Sequence, residues 1–305
     1  MVVTREDVER AAARIAAHIR RTPVMEGEYG TLLKLEAFQH AGSFKVRGAF
    51  NRILSADRLP GAGVIAASGG NHGVAVAYAA HKLGVRAEIF VPEICAPVKV
   101  EGLRALGAHV TQTGLIFAEA YEASAKRAAE TGALDIHAYD QAEVVAGQGT
   151  VGLELLDQAR DGGGVDTILV AVGGGGLVGG VTAAVAGAAR IVAVEPERIP
   201  TLHQALALGG PVQVDVSGVG ADALGASRAG RIGFDIVAAA GVQSVLVGDD
   251  AIVEARQELW RAYRIATEHA GAAALAALRS GAYVPEPGER VAVIICGANT
   301  DPATL

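Results

Sequence analysis

The stretch AGSFKVRGAF, Ala41 to Phe50, sets one lysine beside a phenylalanine and two residues before an arginine. A lone lysine is ordinarily a solvated loop residue, so only partners elsewhere in the chain can give Lys45 a chemical role. Three segments offer them: SGGNHG (Ser68 to Gly73), GGGGL (Gly173 to Leu177) and CGAN (Cys296 to Asn299). Each follows a short Val/Ile/Ala-rich run, and the first two precede stretches of helical character. In open α/β sheets ligands gather where strand C-termini meet the following loops. Lys45, read as lying at the end of a strand in TLLKLEAF, is expected to join them.

Four successive glycines let a backbone turn tightly and aim several N–H groups at one point, and a helix N-terminus adds partial positive charge there. A phosphate is the natural guest, with a plain turn as the alternative. The run is neither a Walker loop nor a clean dinucleotide fingerprint. Asn71 and His72 read either as helix-capping residues or as donors to a ligand carboxylate or phenolate, and Ser68 shares the capping reading. Cys296 reads as a small core residue or as a ligand contact. Together, a lysine amine, a phosphate cradle and polar groups at several strand ends suit pyridoxal 5'-phosphate: an imine to lysine, a phosphate on backbone, a phenolate on an amide. Lys45 would be its covalent anchor.

The elements that position these residues are legible as βα units. GVIAAS leads into NHGVAVAYAAHKLG, AEIFVPE into APVKVEGLRALG, and AHVTQT into FAEAYEASAKRAAETG. From about Gly63 to Leu134 these units predict a small doubly wound domain. A second series starts near Asp166, with DTILVAV, RIVAVEPE, VQSVLVG and RVAVIICG as strands and one long helix from Asp249 to about His269. The fold class expected is α/β, two doubly wound domains with mostly parallel sheets and a cleft between them.

Composition bounds the rest. The chain has 305 residues, 51% apolar but only 4% aromatic, with 40 glycines, so small aliphatics must do the packing. A net charge of -7 and no basic run argue against a nucleic-acid footprint. The two cysteines, Cys95 and Cys296, fit a reduced, cytoplasmic compartment better than a disulfide scaffold. The N-terminus is charged from its fifth residue and does not read as a signal peptide. Ile168 to Ala189 carries no charge, but its glycine runs read as strand, loop and helix rather than a membrane span.

The motifs SFKVRGA, SGGNHG, GGGGL and CGAN, in this order, together with DQAEVVAGQGTVGLELL (Asp140 to Leu156), resemble the fold-type II, tryptophan synthase β-like, pyridoxal-phosphate enzymes. The serine/threonine dehydratase and serine racemase branch is the most similar, and the resemblance covers nearly the whole chain. It implies a discontinuous large domain, residues 1–48 plus 141–305, around an inserted small domain, residues 49–140. By this resemblance Lys45 forms the Schiff base and then acts as the base at Cα, and Phe44 packs beside the ring. Asn71 holds the phenolic oxygen, Gly173, Gly174, Gly175, Gly176 and Leu177 hold the phosphate, and Cys296 meets the pyridine nitrogen. Ser68, Gly69, Asn71 and His72 form the substrate carboxylate site.

Departures narrow the implied activity. Gly69 stands where serine racemases carry serine, which leaves no side-chain acid opposite Lys45 and disfavours racemisation. Some relatives bind a divalent cation through a glutamate and an aspartate six residues later; here Glu195 is present but Thr201 replaces the acid, so no metal is assigned beyond Glu195 as a candidate. A chain ending at Leu305 is expected to lack the regulatory domain of long threonine dehydratases. The expected activity is dehydration and deamination of a β-hydroxy L-amino acid, threonine or serine, to a 2-oxo acid and ammonia. The alternatives are 3-hydroxyaspartate ammonia-lyase, a serine racemase-like enzyme, and, from other classes, a non-catalytic amino-acid sensor or a nucleotide-binding protein. The expected partners are a small amino-acid substrate and further copies of the chain in a homodimer or homotetramer, without nucleic acid or membrane.

Overall fold

Alternating apolar runs and amphipathic stretches fold as alternating strands and helices in the computed structural model, which describes residues 2–305. In chain order these are α1 (Arg5–Ile15), β1 (Val24–Glu26), β2 (Leu32–Lys34), α2 (Lys45–Leu54), β3 (Val64–Ala67), α3 (Asn71–Leu83), β4 (Ala87–Val91), α4 (Pro97–Ala105), β5 (His109–Gln112), α5 (Phe117–Thr131) and β6 (Leu134–Asp135). There follow α6 (Ala142–Ala159), β7 (Thr167–Ala171), α7 (Gly176–Val185), β8 (Arg190–Pro196), α8 (Thr201–Leu208), α9 (Ala221–Leu224), α10 (Arg231–Ala239), β9 (Gln243–Val247), α11 (Asp249–Tyr263), α12 (His269–Arg279) and β10 (Val291–Ile294). One sheet has the order β5-β4-β3-β6 and is parallel throughout. The other has the order β1-β2-β10-β7-β8-β9, with only β1 and β2 antiparallel. Strands β7 and β10 are buried along their whole length, as parallel strands covered by helices on both faces must be. Among the described residues no helix is long and apolar enough to cross a membrane, and Ile168 to Ala189 divides into β7, a loop and α7.

Two expected elements differ. TLLKLEAF is a strand only at Leu32–Lys34; Glu36–Phe38 forms a 3-10 turn, and Lys45 is the first residue of helix α2 rather than the end of a strand. Glu36 explains the interruption, because its carboxylate is drawn inward to Arg47. The single helix expected from Asp249 to His269 stops at Tyr263. Arg264 turns left-handed at φ 58°, and its guanidinium donates to the carbonyls of Trp260 and Arg261, closing the helix end. The freed segment is tied to the loop after β10: Thr267 Oγ1 donates to Gly297 O at 2.6 Å and Glu268 N to the same oxygen at 3.3 Å.

Glycine abundance is explained at the helix crossings. A Cβ built on Gly147 of α6 would lie 2.7 Å from Gly48 Cα of α2, and one on Gly149 would lie 2.5 Å from Gly180 O of α7. Helix α6 therefore touches α2 and α7 backbone to backbone. It fixes the helix that starts at Lys45 relative to the one that follows the glycine run.

Beneath α2 lies a buried charge cluster. Arg47 is fully buried and meets Glu36 through two hydrogen bonds of 2.8 and 2.7 Å, and Glu154 at 3.1 Å. Lys34 Nζ donates to Glu154 Oε1 at 2.6 Å and to Thr22 O at 2.8 Å. Two cations and two carboxylates leave the cluster neutral, the condition under which buried charges are tolerated.

Candidate active site

Lys45 enters the cleft because the backbone before it is fastened to the last strand's loop. Ser43 bridges Gly297, Phe44 N donates to Cys296 O at 3.2 Å, and Ala298 N donates to Gly42 O at 2.8 Å. The side chain is half-buried; its Nζ donates to Ala138 O at 2.8 Å and lies 5.2 Å from the centre of the Phe44 ring. Burial lowers the amine's pKa to about 8, with Cys296 and Glu268 opposing the shift. A lysine so placed has a substantial neutral fraction near physiological pH, which a nucleophilic amine requires.

A narrow cavity brings together Phe44, Lys45, Asn71, Gly173, Leu177 and Cys296, along with Gly174, Gly175 and Glu268. A wider cleft shares Lys45, Asn71 and Gly174 with it and is also bordered by Ser68, Gly69 and His72. The three loops singled out in the sequence thus meet at the lysine. Asn71 is the first residue of α3, with Gly70 as the capping position, so it is not itself the cap. Its Nδ2 donates to Glu268 Oε1 at 2.6 Å and its Oδ1 accepts from Asn299 Nδ2 at 2.6 Å, which leaves one amide proton unused. Burial pushes the Glu268 carboxyl up to about 7 against the pull of the Asn71 bond.

The residues fit a phosphate-bearing aldehyde. Gly175 turns at φ 90° to open α7, and the carbonyls of Gly174 and Gly175 accept from Gly230 N and Gly179 N, both at 2.9 Å. The first N–H groups of a helix have no partner within it. A Cβ at Gly174 would strike the Tyr139 ring at 2.3 Å, so bulk is excluded at this turn. Cys296 is buried, its thiol donates toward Ala270 O at 3.5 Å, and burial holds it neutral.

Several expected residues sit differently. Gly176 does not line the cavity; it packs on Tyr139, whose carbonyl oxygen would be 2.9 Å from an added Cβ. The His72 imidazole, expected at a substrate carboxylate, is 5% exposed and spent on Ile136 O at 2.8 Å. Burial and the neighbouring Lys45 lower it to about 3, so it is a neutral ring. The backbone N–H of residue 72 lies in the first turn of α3, where a helix leaves its N–H groups without an internal partner. Ser68 Oγ accepts from Gly70 N at 3.1 Å, supporting that turn. Gly69 faces the wider cleft, but its open side is taken: a Cβ there would lie 2.7 Å from Cys95 Sγ. The Cys95 thiol thus occupies the space beside Gly69 at this wall.

Glu195 is not placed as a metal ligand. Its oxygens accept from Leu202 N and His203 N, both at 2.7 Å, at the start of α8, and burial raises its carboxyl to about 7. Thr201 Oγ1 donates to Ala226 O at 2.7 Å. Among the described residues no group of three His, Cys, Asp or Glu side chains is arranged for a metal.

Glu268, Tyr139 and Cys95 escaped the sequence reading. The signal for Glu268 was an acid directly before HAGAAALAAL, a helix of small residues with no charge to partner it.

Comparison with known proteins agrees with this geometry. The chain is 37% identical over 309 residues to the L-threonine ammonia-lyase of Geobacter sulfurreducens, covering 98% of this chain and 76% of that protein. It is 36% identical over 308 residues to the phenylserine dehydratase of Ralstonia pickettii, covering 96% and 92%. The structure of maize serine racemase superposes with a TM-score of 0.92 at 33% identity, covering 100% of this chain and 96% of that one. Residues 15–297 match the family described as pyridoxal-phosphate dependent enzyme, and with the lysine, the glycine cradle and the amide converging on one cavity, the chain belongs to that family.

Proposed function

We propose that the protein dehydrates and deaminates a β-hydroxy L-amino acid, threonine or serine in the simplest case, to a 2-oxo acid and ammonia. The observation that carries this reading is the convergence of Lys45, Asn71, the Gly173–Gly175 turn and Cys296 on one cavity beside a cleft wide enough for an amino acid.

Pyridoxal phosphate, when bound, supplies the electron sink that makes the Cα proton acidic and lets the β-hydroxyl leave. The first-turn amides of α7 would hold its phosphate, and the free Asn71 amide proton would be offered to its phenolic oxygen. The amides of residues 71 and 72, at the N-terminus of α3, hold the substrate carboxylate. Lys45, with its depressed pKa, takes the Cα proton; general-base catalysis of this kind is worth roughly 10²–10⁴-fold. Cys296, a neutral thiol, cannot keep a ring nitrogen protonated as a carboxylate would, and this favours prompt loss of the β-substituent over long-lived carbanion chemistry. Residues 49–140 form the unit that closes on substrate, the remainder forming the larger domain. The reading also takes the protein to be cytoplasmic and homo-oligomeric.

The test is direct. Purified protein should be yellow, borohydride should fix the cofactor to a peptide containing Lys45, and threonine or serine should yield 2-oxo acid. Lys45→Ala should lower turnover about a thousandfold. A colourless protein of full activity would overturn the assignment.

A further inference from the structure

Aromatic residues are only 4% of this chain, and two of them, Phe117 and Tyr139, line the wider cleft as the two ends of one run of rings. Phe117 stacks on Tyr121 with ring centres 6.2 Å apart, Tyr121 meets His137 edge-on at 5.8 Å, and His137 meets Tyr139 edge-on at 4.7 Å. This run starts at the first residue of α5 and ends where the Tyr139 ring lies against Gly174 of the glycine turn. Both of its ends, Phe117 and Tyr139, line the cleft that contains Lys45, as do Ile94, Ala221 and Ala223. Phe117 is 55% and Ile94 77% exposed, so apolar area there is free for a ligand to cover.

The charges in the cleft are already matched. Lys99 pairs with Asp222, and His72 is a neutral ring held by Ile136 O. Apart from Lys45, no lining residue carries an unpaired charge. An amino acid with its Cα proton at Lys45 and its carboxylate at the start of α3 must direct its β-substituent along the remaining wall. A second carboxylate would meet there only Lys99, already paired with Asp222, whereas a ring would gain apolar burial and edge contacts.

We propose, resting on the lyase reading above, that this wall selects 3-arylserines, β-hydroxy amino acids with an aromatic ring on Cβ. The reaction balances without a further reactant. Loss of water across Cα and Cβ gives the aryl enamine, which takes up water and releases ammonium, leaving a 3-aryl-2-oxopropanoate.

The experiment compares kcat/KM of the holoenzyme for L-threo-3-phenylserine, L-threonine, L-serine and L-threo-3-hydroxyaspartate. Phenylserine is expected to lead threonine by about tenfold or more, the discrimination an apolar pocket gives. Threonine or hydroxyaspartate ahead of phenylserine overturns the proposal. Binding is read separately, from the visible spectrum of the holoenzyme titrated with L-phenylalanine and L-2-aminobutyrate, neither of which carries a β-hydroxyl. Phenylalanine should bind about tenfold tighter. No 2-oxo acid from any of the four substrates sinks the lyase reading; phenylalanine no tighter than aminobutyrate sinks the aromatic pocket. Phe117→Ala should lower the phenylserine-to-threonine ratio about fivefold and Phe117→Leu less; an unchanged ratio in both folded variants counts against the wall.

Discussion

Glu268 Oε1 accepts a hydrogen bond from Asn71 Nδ2 at 2.6 Å, joining the segment before α12, which covers the six-stranded sheet, to the start of α3, which covers the four-stranded one. The carboxyl is almost fully buried, and its pKa of about 7 stands above the ordinary 4.5 because burial penalises the charge. A raised carboxyl pKa contributes stability that is complete below the unfolded value and is lost as pH rises to the folded one. The apoprotein should therefore lose up to about 3 kcal/mol from this group between pH 4.5 and 7. Glu268→Gln, which cannot ionise, should flatten that part of the stability profile in denaturant titrations at pH 5 and pH 8. An identical slope in wild type and variant would show that the carboxyl titrates normally.

Gly69 and Cys95 share one volume, since a Cβ on Gly69 would fall 2.7 Å from the thiol sulfur. Gly69→Ser alone should be strained and displace Cys95, whereas Gly69→Ser with Cys95→Ala has room for the hydroxyl. A double-mutant cycle on unfolding free energy should give a coupling of about 0.5–3 kcal/mol in favour of the pair. If the serine hydroxyl then serves as the acid opposite Lys45, the double variant should also form D-serine from L-serine above the wild-type level. Additive stabilities would mean that the sulfur moves aside at no cost.

What the sequence made legible, and what it did not, divides along the reach of the interactions. Asn71, Gly173 and Cys296 could be found because strand ends followed by glycine or asparagine mark ligand loops locally. The setting of Lys45 could not, because its helix is held by Arg47, whose partners Glu36 and Glu154 lie 11 and 107 residues away. Glu268 was hidden by a helix break at Arg264, a residue type that rarely takes φ 58°; no glycine or proline announces it. The direction of the His72 ring is set by the carbonyl of Ile136, 64 residues on, and nothing in SGGNHG encodes it.

Arg47 stands two residues after Lys45 and is paired on both sides by buried carboxylates. Removing it leaves the buried Glu36 without its direct partner and two carboxylates sharing Lys34 alone, so Arg47→Ala should cost about 3–5 kcal/mol. That corresponds to a Tm lower by on the order of 10 °C in a scan of the apoprotein. Arg47→Lys keeps the charge but cannot form the two-pronged contact, and should fall between them. Because the cluster holds the helix that begins at Lys45, both variants should also bind pyridoxal phosphate more weakly, in the same order. A lysine variant as stable as wild type would show that charge alone suffices.

Glu195 lies where a divalent cation could be sought, but its two oxygens are committed to the amides of Leu202 and His203. Those bonds satisfy N–H groups that helix α8 cannot satisfy itself, so the carboxyl replaces a cap rather than forming half of a metal site. Thr201, whose hydroxyl donates to Ala226 O, offers no second anion. Chelation by EDTA should then leave the Tm of the purified protein within about 1 °C, and magnesium should not raise it, because an ion that binds the folded state must shift the transition by mass action. Glu195→Ala, by contrast, should lower stability by about 1–3 kcal/mol, the cost of leaving buried amides without acceptors. A Tm that rises with magnesium and is lost on Glu195→Ala would mean that the carboxyl swings away from α8 to take the ion, and the capping role would have to yield.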